Sequence, residues 1–223
     1  MTPRPFVLLS AAMSVDGFID DTSADRLLLS DDADLDRVDD VRAGVDAILV
    51  GATTIRRDDP SLVVRAPHRR ATRAADPIKV TVTDSGDLDP TYRFFTTGDA
   101  EKLVYVPTPA IERAKQRVGQ VATVVGAGNP LDLRLLLADL HERGVERLMV
   151  EGGTRMHTQF LLEDLVDEIQ LAVAPFFVGD EHAPRFVGPG TFPHNVGRRM
   201  RLAETRPVGD LVLLRYLLEP GDG

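Results

Sequence analysis

Two short runs carry side chains whose type and spacing could do chemistry. The first is Asp58-Asp59-Pro60, inside DAILVGATTIRRDDPSLVVR (46–65). Adjacent carboxylates fixed by a proline can hold an acid or base beside a ligand. The second is Glu151-Gly152-Gly153-Thr154. A Gly-Gly pair between a strand and a helix lets backbone amides and the positive helix end face an anion. Each run has a plainer reading, a solvated loop for the first and a tight turn for the second. Two such strand ends in one chain, each with a carboxylate beside it, favour a ligand edge.

The surrounding residues read as the elements that would position these groups. Ala47–Val50 is an unbroken apolar run, the mark of a strand buried on both faces. Gly51 ends it and permits close backbone approach, Ala52–Arg57 suits a helical turn with Thr53 and Thr54 hydroxyls, and Leu62–Arg65 leaves in extended form. Arg147–Val150 is a second buried strand. The helix after it, Thr154–Leu165, can put Met156, Phe160, Leu161 and Leu165 on one face. Open α/β sheets bind ligands at the carboxyl ends of such strands.

The rest of the chain supplies the frame. Phe6–Met13 is the expected first strand, closed by the Ser14-Val15-Asp16-Gly17 turn. Asp20–Ser30 reads as an irregular loop with an apolar patch at Leu27–Leu29. Ser30 followed by Asp31 and Asp32 suits a helix start. That helix would place Leu35, Val38, Val41 and Val45 on one side, with Arg42 off the stripe near its end, where a surface arginine also suits the dipole. The run RAPHRRATRAAD after Val64 is basic and polar, a surface loop by composition. Strands are expected at Ile78–Val82, Leu103–Val106 and Val121–Val125, and helices at Pro109–Val118 and Leu131–Arg143. Gly126–Pro130 lacks a third glycine at dinucleotide spacing and reads as a turn. Val166–Val178 is a long strand interrupted at Pro175, and Met200–Leu218 a hairpin. Strands alternating with helices, then consecutive strands, predict a mostly parallel sheet with an antiparallel C-terminal edge.

Composition excludes several function classes. A chain of 223 residues with no linker-like stretch is expected to form a single domain over 1–223. Its net charge of −9 opposes a nucleic-acid partner. It contains no cysteine, which removes disulfides, thiol catalysis and cysteine metal sites and suits a reducing compartment. No run reaches the roughly 20 apolar residues needed to span a bilayer, so no membrane partner and a cytoplasmic location are expected. The five histidines have no metal-ligand spacing and no metal is expected; His157 reads as a helix-surface residue.

Four segments together resemble one family. AAMSVDGFI (11–19), VRAGVDAILVGATTIRRDDPSLVVR (41–65), LMVEGGT (148–154) and LVDEIQLAVAPFFVGDEHAP (165–184) are similar, in order and spacing, to the pyrimidine reductase of riboflavin biosynthesis, the reductase part of RibD-type proteins. The likeness covers nearly the whole chain. It implies a dihydrofolate-reductase-like three-layer α/β fold. It also implies NADPH-dependent reduction of 5-amino-6-(5-phosphoribosylamino)uracil to the ribitylamino compound, with NADH possible as cofactor. By resemblance Asp58 and Glu151 are catalytic, and Ser30, Arg42, Leu62, Arg65 and Glu151 hold a phosphorylated substrate. Ala12, Leu28, Gly51, Thr54, Asp58, Ser85, Gly152, Gly153 and Thr154 contact the cofactor. Asp59 is expected to cap a neighbouring helix or loop. The chain departs from the family's usual residues at Ser10, Asp39 and Val63. It has Asp87-Leu88 where an arginine often meets the cofactor's 2′-phosphate. The family's usual homodimer, through strands near the C-terminal end, and a separate deaminase are expected. Two other readings stay open: a reductase of another pterin or aminopyrimidine on the same fold, and a non-catalytic nucleotide-binding protein.

Overall fold

The computed structural model describes residues 3–23, 25, 27–66 and 76–219. Most of the basic run after Val64, residues 67–75, lies outside the described residues. Among the described residues nine strands form one sheet in the order β5-β4-β3-β2-β6-β1-β7-β9-β8. They are β1 (Phe6–Ser14), β2 (Ala47–Gly51), β3 (Ile78–Val82), β4 (Lys102–Val106), β5 (Thr123–Gly126), β6 (Arg147–Gly152), β7 (Glu168–Ala174), β8 (Arg201–Val208) and β9 (Leu211–Leu217). The helices are α1 (Asp32–Ala43), α2 (Ala52–Asp58), α3 (Arg93–Thr96), α4 (Ile111–Val118), α5 (Leu133–Glu142) and α6 (Thr154–Leu162). β2, β3, β4 and β5 pair in parallel, as do β1 and β7. β9 runs antiparallel to both β7 and β8. This is the mixed sheet with an antiparallel C-terminal edge that the alternation of elements predicts. Among the described residues no helix is long and apolar enough to cross a membrane.

The chain divides into two compact units. The first comprises Asp39–Met149 together with the chain's start up to Phe6. Its core is the continuous apolar strands: Ile48, Leu49, Val80, Leu103, Val104 and Tyr105 are all fully buried. The Tyr105 hydroxyl donates to Asp139 Oδ2 at 2.5 Å, which satisfies the one polar atom that ring takes inside. Lys79 is buried as well, its Nζ donating to the carbonyls of Phe94 (3.2 Å) and Thr97. Burial lowers its pKa to about 8, aided by nearby Lys102. It ties β3 to α3, a four-residue helix that no sequence periodicity announces.

The second unit comprises Val7–Val38 and Val150–Gly223. β1 and β7 lie in register, Ala12 opposite Ala172. Ala172, Ala174 and Leu211 form a small core against which Ala12, Leu29 and Phe176 pack. Leu29 thereby packs the irregular loop against residues of β7 and β9. Asp31, not Ser30, caps α1: its Oδ1 accepts from the Asp34 amide.

Three further expectations change. The face α1 turns inward is largely polar: Asp34, Arg37 and Asp39 are buried together with Ala43, whereas Leu35, Val38 and Val41 are half-buried; Val45, expected on the same side, is buried just past the helix. The charges are tolerated because they are paired, Arg37 Nε donating to Asp34 Oδ1 at 2.7 Å and Nη1 to Gln170 at 2.9 Å. β7 ends at Ala174, because Pro175 has no amide to extend a ladder. α6 ends at Leu162, and Asp164 adopts φ 57 just beyond it; the Leu165 amide then bonds back to Phe160 O, a helix-terminating pattern.

Candidate functional site

In the first unit the predicted residues gather at the carboxyl ends of parallel strands. Gly51 closes β2 and is the residue before α2. Thr54 and Asp58 are both half-buried on α2, Asp58 as its last residue. β3 pairs beside β2, Gly51 opposite Val82, so Ser85 leaves the same strand-end edge. Ser85 is exposed, and its hydroxyl accepts from the Asp87 amide at 3.2 Å. Gly86 is required there: at φ 68, a Cβ would lie 2.9 Å from Ala110 O. Asp87 in this turn meets three arginines. Arg113 Nη2 and Arg117 Nε approach its carboxylate at 2.6 and 3.1 Å, and Arg56 Nη2 donates to its carbonyl at 2.9 Å.

Asp58 and Asp59 have separate fates. Asp59 takes the left-handed region at φ 42 as the residue ending α2, and its Oδ1 accepts from the Arg93 amide at 2.6 Å. It caps the start of α3, the capping role anticipated for it. Leu62 is buried and also left-handed, at φ 50, a conformation that costs a branched side chain roughly 1–2 kcal/mol.

The chain after Leu62 is gripped from α1. Arg42 Nη1 donates to Val63 O at 3.2 Å. The buried Asp39 carboxylate accepts the amides of Arg65 (2.6 Å) and Ala66 (2.9 Å). Arg65 Nε lies 3.9 Å from the same carboxylate, with half of the arginine side chain exposed. Asp39, noticed in the sequence only as a departure from family habit, sets the backbone that presents Arg65.

The second unit holds the other predicted residues. Ala12 is half-buried in β1, Leu28 is exposed on the loop, and Glu151 is half-buried as the next-to-last residue of β6. Ser30 Oγ donates to the buried Asp34 at 2.5 Å. Gly152 is buried, Gly153 has φ 87, and Thr154 starts α6, whose first turn carries no acidic residue. A positive-φ glycine before a helix whose first turn has no acidic residue suits an anionic group such as a dinucleotide pyrophosphate. The Thr154 hydroxyl is committed elsewhere, donating to Arg185 O at 2.5 Å.

Two features of this unit escaped the sequence. Asp16 receives Ser14 Oγ (2.6 Å) and the amides of Val178 (3.1 Å) and Gly179 (2.8 Å). Burial alone would raise its pKa, but these donors hold it below the ordinary carboxylate range. His157 is not on the helix surface: it is 1 % exposed, because the segment around Phe186 covers that face. Its Nδ1 donates to Phe186 O at 3.0 Å, and burial lowers its pKa to about 4. No group of His, Asp or Glu among the described residues could hold a metal ion.

Known proteins match this arrangement along its length. A reductase of Archaeoglobus fulgidus, the 2,5-diamino-6-ribosylamino-4(3H)-pyrimidinone 5′-phosphate reductase, is 38% identical over 187 residues, 81% of this chain and 85% of its own. The protein of the same name from Methanothermobacter thermautotrophicus is 35% identical over 219 residues, 97% of this chain and 99% of its own. RibD of Actinobacillus pleuropneumoniae is 27% identical, and this chain spans 58% of its length. Among solved structures, RibD of Acinetobacter baumannii superposes with a TM-score of 0.82 over 97% of this chain and 59% of its own, at 23% identity. The model of the RibD C-terminal domain matches residues 5–214, and the chain belongs to that family.

Proposed function

We propose that this chain is the reductase of riboflavin biosynthesis that converts a 6-ribosylaminopyrimidine 5′-phosphate to its ribitylamino product, using a nicotinamide cofactor. The observation that carries this reading is likeness to reductases of one name across essentially the full chain. Those relatives are named for the diaminopyrimidinone; the uracil form differs from it at C2 of the ring. Both are candidate substrates, and both share the ribose phosphate.

When bound, a nicotinamide cofactor would supply the hydride that C1′ takes once the sugar has opened to an imine, whose nitrogen takes a proton. The protein's part is placement and proton movement. Ring opening moves a proton between the C1′ amine and the ring oxygen, and Asp58 is the proposed carrier, since Asp59 is engaged at the start of α3. Glu151 accepts hydrogen bonds from substrate hydroxyls or amines. Arg42 and Arg65 take the phosphate, Ser30 contributes a hydroxyl, and Leu62 an apolar wall. Ala12, Leu28, Gly51, Thr54 and Ser85 contact the cofactor, with Gly152, Gly153 and Thr154 at its pyrophosphate through backbone amides. NADPH is the proposed form. The three arginines meeting at Asp87 put cationic groups at the Ser85 turn, which favours a 2′-phosphate. The chain works as a single domain and as a cytoplasmic homodimer, beside a deaminase supplied separately.

The test is loss of reduced-nicotinamide absorbance with each pyrimidine, with and without its 5′-phosphate, using NADPH and NADH in parallel. Turnover that requires the phosphate supports the reading. Turnover of a pterin or a dephosphorylated pyrimidine instead moves the substrate assignment to another reductase. Cofactor binding without turnover of any of them favours a nucleotide-binding protein.

A further inference from the structure

A five-residue strap, 184–188, runs between the turn after β1 and the first two turns of α6. On its β1 side it is held by two main-chain hydrogen bonds and by the Arg185 side chain. The Ile19 amide donates to Pro184 O at 2.8 Å and the Phe186 amide to Gly17 O at 2.9 Å. The Arg185 guanidinium lies 4.3 Å from the Phe18 ring centroid, with Nη1 3.5 Å from Asp16 O. On the α6 side three side chains reach the strap's main chain. Thr154 Oγ1 donates to Arg185 O at 2.5 Å, His157 Nδ1 to Phe186 O at 3.0 Å, and Thr158 Oγ1 accepts the Gly188 amide at 2.8 Å. Spacings of three and four residues put all three on one helix face. Thr158 Oγ1 also donates to Thr154 O at 2.6 Å, so one hydroxyl joins strap and first turn.

His157 is an expensive way to fill this space if packing were its whole task. Its Nε2 is buried without a hydrogen-bond partner, and leaving a ring nitrogen dry costs free energy that Phe or Leu would avoid. What only a donor at this position supplies is the bond from Nδ1 to the strap.

We propose that His157 and Thr158 are positioning residues for the cofactor, acting through the 184–188 strap. The inference rests on the reading above, in which the cofactor touches β1 at Ala12 and α6 at Gly153 and Thr154. The strap joins the end of β1 to the start of α6, so it sets the spacing between those contact points. By holding the Thr154 hydroxyl on Arg185 O, it also leaves the backbone amides of the turn as the anion donors. His157 touches neither cofactor nor substrate in this account.

The test uses the intact chain and two pairs of variants. His157→Phe keeps a ring and removes the donor, and His157→Asn restores a donor near Nδ1. Thr158→Val removes the hydroxyl, and Thr158→Ser restores it. Each disrupting variant should raise the KM for NADPH about five- to tenfold, the size of one positioned hydrogen bond. The KM for the pyrimidine should stay within about twofold, and each conservative variant should recover most of the loss. A purely structural role would lower the active fraction and leave both KM values in place. Unchanged NADPH KM in both disrupting variants, equal rises in both KM values, or no recovery in Asn and Ser would each overturn the proposal. Failure of the unaltered chain to bind NADPH would overturn the cofactor reading and this inference together. Normal turnover by the unaltered chain puts only the strap at stake.

Discussion

The Asp39 carboxylate, buried on α1, accepts the Arg65 amide at 2.6 Å and so fixes the backbone of a residue whose side chain is half exposed. Removing it should disturb the Arg65 backbone and also take away the carboxylate that lies 3.9 Å from its Nε. Asp39→Ala leaves two amides unanswered and should cost about 1–3 kcal/mol of stability while raising the substrate KM. Arg65→Ala should raise the substrate KM alone. Steady-state kinetics beside thermal melts separates the two; equal loss of NADPH and substrate affinity in Arg65→Ala would remove its phosphate role.

Asp58 and Asp59 should respond differently to the same change. Asp58→Asn should lower kcat by a factor on the order of 10² or more if it moves protons. Asp59→Ala loses the cap on α3 and should lower stability by about 1 kcal/mol, with kcat largely kept. Near-normal turnover in Asp58→Asn would take the proton-carrying role away from it.

Asp31 links the start of α1 to the β8–β9 turn. Its Oδ1 accepts the Asp34 amide at 2.8 Å and its Oδ2 the Asp210 amide at 3.0 Å, and these hold it below the usual carboxylate range. Gly209 sits against it at φ 57, where an added Cβ would lie 1.8 Å from Oδ2. Gly209→Ala should therefore destabilise the chain by more than the roughly 1 kcal/mol typical of a left-handed glycine replacement. Denaturant titration of this variant beside Asp31→Ala checks it, and an unchanged midpoint would show that the turn swings clear.

Acid should weaken the fold before the carboxylates titrate. His157 has its pKa lowered from 6.5 to about 4 by burial, against the Phe186 hydrogen bond, which raises it. Its contribution is fully present above pH 6.5 and is lost as pH falls toward 4, because the unfolded chain then binds the proton first. The full loss is about 3 kcal/mol. His194 adds to the same slope, lowered by burial and by Arg198 against Asp164. Melts between pH 7 and pH 4.5 should show the fall, and His157→Phe should flatten it. An unchanged slope in that variant would assign the acid sensitivity to other groups.

The legible parts of this protein are those that depend on local pattern. Apolar runs such as Ala47–Val50 and Leu148–Val150 identify buried strands because a strand covered on both faces is lined by apolar side chains. Gly153 at a strand-to-helix joint is legible because only glycine takes φ 87 without strain. The inward face of α1 is not written in local pattern: apolar spacing points to Leu35 and Val38, but Asp34 and Arg37 are the buried pair, Arg37 bonded to Asp34 and to Gln170, 133 residues away.

Apart from α3, the element order is legible along the chain, as are the two strand ends with their carboxylates and the family likeness that names a reaction. Each is written in residues close together along the chain, where steric preference and hydrophobic periodicity act directly. Tertiary structure alone decided which carboxylates are spent on main-chain amides, as Asp39, Asp59, Asp16 and Asp31 are. It likewise decided that His157 lies beneath a segment 29 residues further on. Such a pairing needs two distant stretches brought within about 3 Å, and no local pattern records which stretch will arrive.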